Sequence, residues 1–564
     1  MRHCLIAGWL IASTLAPGQD AEVAPEAGKI IEIPNVEAAI PGSVKTLGEP
    51  TIFNFPSGIR MAVTAATESA QAHVNQGMNH LHGGWEFEAC RHFAAAMRED
   101  PECLLAHWGM VMTLLTPSPE TGPARNAAAE RLLHLVDQGK GSELERGYAY
   151  GLIKYIEEGP TAAAAAFRKV ADKFPNDIQA SVFSALFGRG GFDDLGDATP
   201  DQETAEARLQ ELILKHPLNP LPLNALLSIR AEAPDLSKSL ALARKLCQMS
   251  PEYAPYFHLL GHYEWRCGEH GKAASAFGRA SSSYEKWMKE TQATIADCPE
   301  WVKAECYRIV SIVSKGEFDT AYAAARRVAT TPLDPKRLSS PGCRLLLWDA
   351  KTLPARILLH RGLRGNAAEA LHSLPAPDEL KDTRSASLAF WWIDGLRFAL
   401  EARRLINAGE FAEAQNVVAA FSNQGEAMSK TQSLAATFGE KSSWIRSYRA
   451  LEVLASELQG NLVMAGPKER TGIAYNWFAS ATDRQRPATL MFPPMILTPM
   501  AIRLGEYYLS AGKPDEAIEA YQRALTAFPN DMNALIGLKK AFEKAERTAD
   551  TEATTKRIEM LRAQ

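Results

Sequence analysis

Residues Met500–Asp531 read MAIRLGEYYLSAGKPDEAIEAYQRALTAFPND, and this stretch decides the fold. Leu504, Gly505 and Tyr508 share the packing face of a first helix, where Gly505 lets a partner approach closely. Gly512 and Pro514 punctuate a turn: glycine tolerates the conformation that ends one helix, and proline suits the first turn of the next. Ala517, Tyr521 and Ala524 then recur at helical spacing on a second helix whose small residues admit the first, and Pro529 closes the unit.

The same ruler can be laid upstream. Gly261, Ala273, Phe277 and Ala280 match it, preceded by Leu227, Ala243, Leu246 and Pro251, and before those by Ala205, Leu209, Leu212 and Pro217, three units in register at 34 residues each. Gly151, Ala163, Phe167 and Pro175 mark another unit, and Gly77, Ala89, Phe93, Ala96 and Pro101 one more. Weaker copies centre on 314–328 and 406–421. A plain helical bundle would not reproduce the glycine, alanine and proline positions together. The pattern resembles the tetratricopeptide repeat (TPR), a 34-residue helix-turn-helix. Strand-like alternation is scarce, so the expected fold class is all-α, a TPR-type α-solenoid of helix-turn-helix repeats.

At 564 residues the chain exceeds one compact core, which a repeat array accommodates. A net charge of -5 supplies no basic footprint for nucleic acid. Arg2 and His3 precede an apolar run, Leu5–Ala16, that is too short to span a bilayer and has small residues after it. Residues 1–18 therefore read as a signal peptide cleaved near Gly18, leaving a periplasmic or secreted protein with no stable membrane span. The seven cysteines beyond Cys4 form no CxxC pair, and their odd number leaves at least one thiol free.

Residues 19–65, with the extended-looking pieces KIIEIP and TIFNFP, read as a leader lying along the array. TPR-like repeats are expected over 66–330, and divergent helical repeats with proline-rich loops (TTPLDPKRLSSPG, SLPAPDELKDTRS) over 331–480. A proline-rich crossing, QRPATLMFPPMILTP, leads into the last repeat and terminal helices within 481–564. GRGGFDDLGD lacks the EF-hand pattern and reads as a surface loop. Walker, Rossmann, nucleophile-elbow and kinase motifs are missing, so no catalytic residue and no cofactor is assigned.

The stretch His73–Cys103 holds His73, His80, His82 and His92 with Cys90 and Cys103. On the ruler His73 and His80 take helix-packing places usually held by aromatics, and neither CxxC nor HExxH spacing occurs, so they read as core histidines.

Three stretches together resemble a family of bacterial TPR proteins of largely uncharacterised function. Residues 75–110 look like its N-terminal signature, with Asp100, Pro101, Cys103, Trp108 and Gly109, and residues 492–538 like its C-terminal one. The family carries an HxxxH pair on a middle repeat, matched by His258 and His262, and a second histidine pair on the next, where this chain has Cys306 and Val310. In the repeat fold the fifth and ninth residues of a first helix face the concave groove, and these four fall on those places. An α-solenoid behind a signal peptide reads as a non-enzymatic exported scaffold that binds a peptide or protein segment in a concave groove, with Tyr148, Leu152, Tyr155, Asn224, His258, His262, Trp265, Arg266, Cys306 and Arg403 expected to line it. Aromatics supply rigid contact area there, while Arg and His fix polar groups. The alternative is a metal-dependent enzyme or metal-binding protein using His258, His262 and Cys306, since an i, i+4 histidine pair can chelate. Nothing in the sequence sets an oligomeric state.

Overall fold

Phe93 shows how the repeats are assembled. It lies on the helix Glu86–Glu99 and is fully buried between two glycines, each sixteen residues away in sequence. A Cβ on Gly77 of the helix Glu68–Gly83 would stand 2.7 Å from its ring, and one on Gly109 of the helix Leu104–Thr113 would stand 2.2 Å away. Both distances are well inside van der Waals contact, so only glycine lets the flanking helices close on the ring. Tyr521 repeats the arrangement between Gly505 (2.6 Å) and Gly537 (2.2 Å), and the pairs Gly151–Phe167 (2.6 Å) and Gly261–Phe277 (2.8 Å) follow the same rule.

In the computed structural model, residues 33–193, 196–362, 366–435, 437–486 and 488–563 are described; the expected signal peptide lies outside them. The fold is all-α and of the TPR type. Among the described residues no strand forms, and only two isolated bridges occur, Phe192–Ala198 and Thr489–Phe492. No helix among them is long and apolar enough to cross a membrane.

The chain divides into two compact units. The first holds residues up to Ala233 together with Ala241–Leu259 and Trp287–Ala293; the second holds Pro234–Leu240, Leu260–Lys286 and everything from Thr294 onward. The first unit stacks hairpins such as Glu68–Gly83 with Glu86–Glu99 and Glu143–Glu158 with Pro160–Lys173. Its helices begin on caps the sequence supplies: the Thr67 side chain accepts from Ala70 N, and Ser142 and Glu145 form a reciprocal capping box. Its core runs through Phe93, Trp108, Tyr148, Phe167 and Phe183.

The second unit stacks Pro299–Ser314 with Phe318–Ala329, Ala389–Ala408 with Phe411–Ser429, Phe438–Ala465 with Ala474–Arg484, and Ala501–Ser510 with Pro514–Ala527. Two stretches read as loops are partly helical. The helix Pro341–Leu345 runs into a π turn, Leu346–Ala350, and Pro377–Thr383 forms a 3-10 turn. Proline opens both the Pro341–Leu345 helix, behind its Ser340 cap, and the 3-10 turn, and the buried Leu345–Trp348 and Leu380 anchor them, so tertiary burial outweighs the local loop signal.

Candidate functional site

Two irregular segments lie against helices in ways that show what those helix faces recognise. In the first unit, residues 51–66 are neither helix nor strand beyond one tight turn, in which Gly58 N donates to Phe55 O. Side chains 59, 61, 63 and 65 turn inward, and 60, 62, 64 and 66 outward, the period of an extended chain. A row of carboxamides on the Glu68–Gly83 helix holds the main chain. Phe53 N donates to Gln76 Oε1 (3.2 Å), and Gln76 Nε2 donates back to Phe53 O (2.9 Å). Asn79 pairs likewise with Ile59, receiving its N–H at 2.8 Å and donating to its carbonyl at 3.1 Å. Asn75 accepts from Met61 N (2.9 Å), while Gln71 donates to Met61 O (2.8 Å) and accepts from Val63 N (2.8 Å). Beyond the row, Glu145 accepts from Thr64 N (2.9 Å), and Asp100 accepts from Ala66 N (2.7 Å). A carboxamide carries both a donor and an acceptor, so it reads backbone rather than side-chain identity.

Aromatic and imidazole rings fill the space beneath this segment. Phe53 and Phe55 pack edge-on against Tyr253 (5.4 and 5.2 Å), and Phe55 meets His80 at 5.1 Å. His80 stacks on His92 at 5.3 Å, His92 Nδ1 lies 3.0 Å from His73 Nδ1, and the Tyr253 hydroxyl lies 3.3 Å from His80 Nδ1. Burial pushes His80 down to about 3 and His92 well below the usual imidazole range, with neighbouring Arg91 adding to both, so these rings are neutral. Close by, Glu88 accepts from Arg91 (2.7 Å) and from the Trp287 indole N–H (3.0 Å).

The second unit holds residues 488–500 by different groups. The Tyr307 hydroxyl meets the carbonyls of Thr489 and Phe492, the latter at 2.8 Å. Arg356 donates to Pro494 O (2.9 Å), to Met495 O (3.4 Å) and to Asp349 O (2.5 Å). Arg446 lies 4.0 Å over the Phe492 ring, donates to Pro493 O (3.4 Å) and forks the Asp349 carboxylate (3.0 and 3.3 Å). The π turn that carries Asp349 thus orients both arginines. Proline has no N–H, so this segment offers mainly carbonyls, and donor-only side chains match it.

Packing between helices covers most of the residues expected to line a groove. Seven of the ten expected side chains are buried: Tyr148, Leu152, Tyr155, Asn224, His262, Trp265 and Cys306. Tyr148 packs on Trp108 (5.3 Å) and donates to Asp177 (2.6 Å), Leu152 joins the same core, and Tyr155 packs on Phe187 (5.1 Å). Asn224 donates to His82 O (2.7 Å) and the Trp265 indole to Ser314 (3.1 Å). His262 lies edge-on to Tyr307 at 6.0 Å. Cys306 lies within the field of Asp349, Arg356 and Arg446, and burial pushes its thiol far up. Of the three less buried residues, Arg266 reaches Ala488 O (3.4 Å), Arg403 pairs with Glu457 (2.7 Å), and His258 belongs to the first unit whereas His262 belongs to the second. Among the described residues no group of three or more His, Cys, Asp or Glu side chains is arranged to hold a metal ion, and His258, His262 and Cys306 form no such group. Among the described residues no disulfide joins the seven cysteines beyond Cys4.

Sequence reasoning missed the carboxamide row. Its signal was available: Gln71, Asn75 and Asn79 recur every fourth residue on one helix face, with Gln76 beside them.

Residues 500–541 match the family model of the tetratricopeptide repeat. No curated protein sequence matches the chain. Similar solved structures include the TPR domain of P58(IPK), at 14% identity over 85% of this chain and 99% of that one, TM-score 0.21. Others are the APC/C hetero-tetramer Cut9-Hcn1, at 13% over 84% and 90%, TM-score 0.27, and Ypp1, at 11% over 87% and 82%, TM-score 0.28. At such scores these likenesses carry no argument about function.

Proposed function

Taking the chain as a tetratricopeptide-repeat protein, we propose that it is an exported, non-enzymatic scaffold that binds an extended peptide or protein segment against the faces of its first helices. One observation carries the reading: the row Gln71, Asn75, Gln76 and Asn79 binds an extended backbone through paired amide hydrogen bonds, here the chain's own. Such a face reads an extended backbone, with apolar residues at the alternate positions that turn inward. Export rests on the run Leu5–Ala16 behind Arg2 and His3.

A panel of labelled extended peptides titrated against the full chain tests the reading. Peptides with alternating apolar residues bind, and once Met61→Pro has freed Asn75 from the leader, Asn75→Leu weakens them by about tenfold, as the loss of a hydrogen bond worth roughly 1.4 kcal/mol requires. Absence of binding across the panel, or binding indifferent to Asn75→Leu, overturns it. Export is tested separately by mass measurement of protein from the producing cell; an intact Met1 on cytoplasmic protein overturns that part.

A further inference from the structure

Residues 50–66 sit on their helix as a ligand does. The bonds that tie Phe53, Ile59, Met61 and Val63 to the Glu68–Gly83 helix run to side chains, so the segment can leave without opening the helix's own ladder. Its outward residues Ile52, Asn54, Arg60, Ala62 and Thr64 are exposed, the carboxamides it would vacate are groups that water readily satisfies, and the two carboxylates it would leave keep local partners, Glu145 accepting from Ser142 N and Asp100 from Glu102 N. The segment 493–500 lacks this freedom: all but Ile496 is buried, and its departure would strand Arg356 and Asp349 in the interior.

We propose that residues 50–66 are an exchangeable occupant of the groove on the Glu68–Gly83 helix, a built-in competitor that yields to an extended partner of the same pattern. The inference rests on the peptide-scaffold reading above. The groove defines that pattern residue by residue. Two aromatics two positions apart occupy the places of Phe53 and Phe55, over His80 and Tyr253. A glycine stands where Gly58 does, because a Cβ there would lie 2.6 Å from Phe55 Cβ and 2.8 Å from Asn79 Oδ1. Apolar residues other than proline take the places of Ile59, Met61 and Val63, whose N–H groups Asn79, Asn75 and Gln71 accept. The partner is thus aromatic-x-aromatic, two residues, glycine, then apolar-x-apolar-x-apolar. Tethering gives the leader an effective concentration in the millimolar range, so a free partner competes only when the leader's own hold is weakened or the partner's contacts are better.

The test uses the full chain and a labelled peptide of the leader's sequence, PTIFNFPSGIRMAVTAA, followed by anisotropy. Wild type binds it weakly. The double variant Ile59→Pro, Met61→Pro removes two N–H donors from the leader without touching the helix, and binds the free peptide at least tenfold more tightly. Adding Asn75→Leu reverses the gain. Hydrogen exchange supplies the second measurement: in wild type the amides of Ile59, Met61 and Val63 exchange at least tenfold faster than those of Val74 and Met78. Equal peptide binding by all three proteins overturns the proposal, as does leader protection matching that of the helix, or loss of helix protection in the proline variant. Capture of the leader peptide with no foreign peptide bound defeats the scaffold reading and leaves the exchange standing. Foreign peptides bound while the leader amides stay protected do the reverse.

Discussion

Residues 59–66 turn every second side chain to solvent, whereas residues 493–500 are buried almost without a break, and the groups that hold each segment differ accordingly. Neutral carboxamides hold most of the first, with the Glu145 and Asp100 carboxylates at its C-terminal end. The carboxamides contribute modestly when bound and cost little when released to water. Arginines, a tyrosine and a buried aspartate hold the second; these groups are expensive to bury and more expensive still to leave unpaired. The same fold therefore holds one segment reversibly and the other permanently, and the local side-chain chemistry makes the difference.

The comparison breaks most visibly at Arg446. Arg446→Ala leaves the Asp349 carboxylate, 2% exposed, without its ion pair and is expected to cost about 3–5 kcal/mol in the second unit, read by denaturant unfolding. A loss below about 1 kcal/mol would place this segment in the same class as the leader.

Acid separates the two units next. Burial holds His80 and His82 near 3, His107 near 4 and His92 well below the ordinary range, all in the first unit, against His270 near 4 and His360 near 3 in the second. Unfolded imidazole titrates near 6.5, so the folded state binds fewer protons: this stability is full above about pH 6.5 and falls below it, by about 1.4 kcal/mol per imidazole per pH unit. Buried carboxyls work the other way, because those raised by desolvation take up protons in the folded state. Glu88 and Asp177 do so in the first unit; Glu300 and Asp531, the latter raised to about 7, do so in the second. Four imidazoles against two leave the first unit losing more stability than the second as pH falls below 6.5, and Asp531 offsets part of the loss in the second. Hydrogen exchange at pH 6.5 and 5.5, compared between helices 68–83 and 514–527, checks the sign.

Overpacking should be similar on both sides. Gly505→Leu and Gly77→Leu drive a side chain into Tyr521 and Phe93 respectively, each at a cost of about 1–3 kcal/mol confined to neighbouring repeats. Protection lost uniformly along the chain would contradict a repeat architecture. The smallest effect belongs to the leader: Gln71→Leu removes the bonds to Met61 O and Val63 N for about 1 kcal/mol, faster exchange at those two amides, and unchanged helix protection.

The sequence by itself determined the repeats, because a glycine, an aromatic and alanines at helical spacing have one economical use, the close approach of two helices. Gly109 and Gly537 complete the sandwiches around Phe93 and Tyr521 at a sixteen-residue spacing that was also open to reading. It also marked TIFNFP as extended-looking and QRPATLMFPPMILTP as a proline-rich crossing. What those segments touch was settled only in three dimensions. Gln71 and Asn75 are ordinary surface residues by local propensity, and they gain a role only when a backbone from the other side of Thr67 folds over them. Tyr307 and Arg356 meet carbonyls far away in sequence, and Cys306, placed on a groove position by its register, is buried among the arginines that clasp that segment. Helical spacing is a local rule and can be read from one stretch, whereas the filling of a groove depends on which distant part of the chain reaches it.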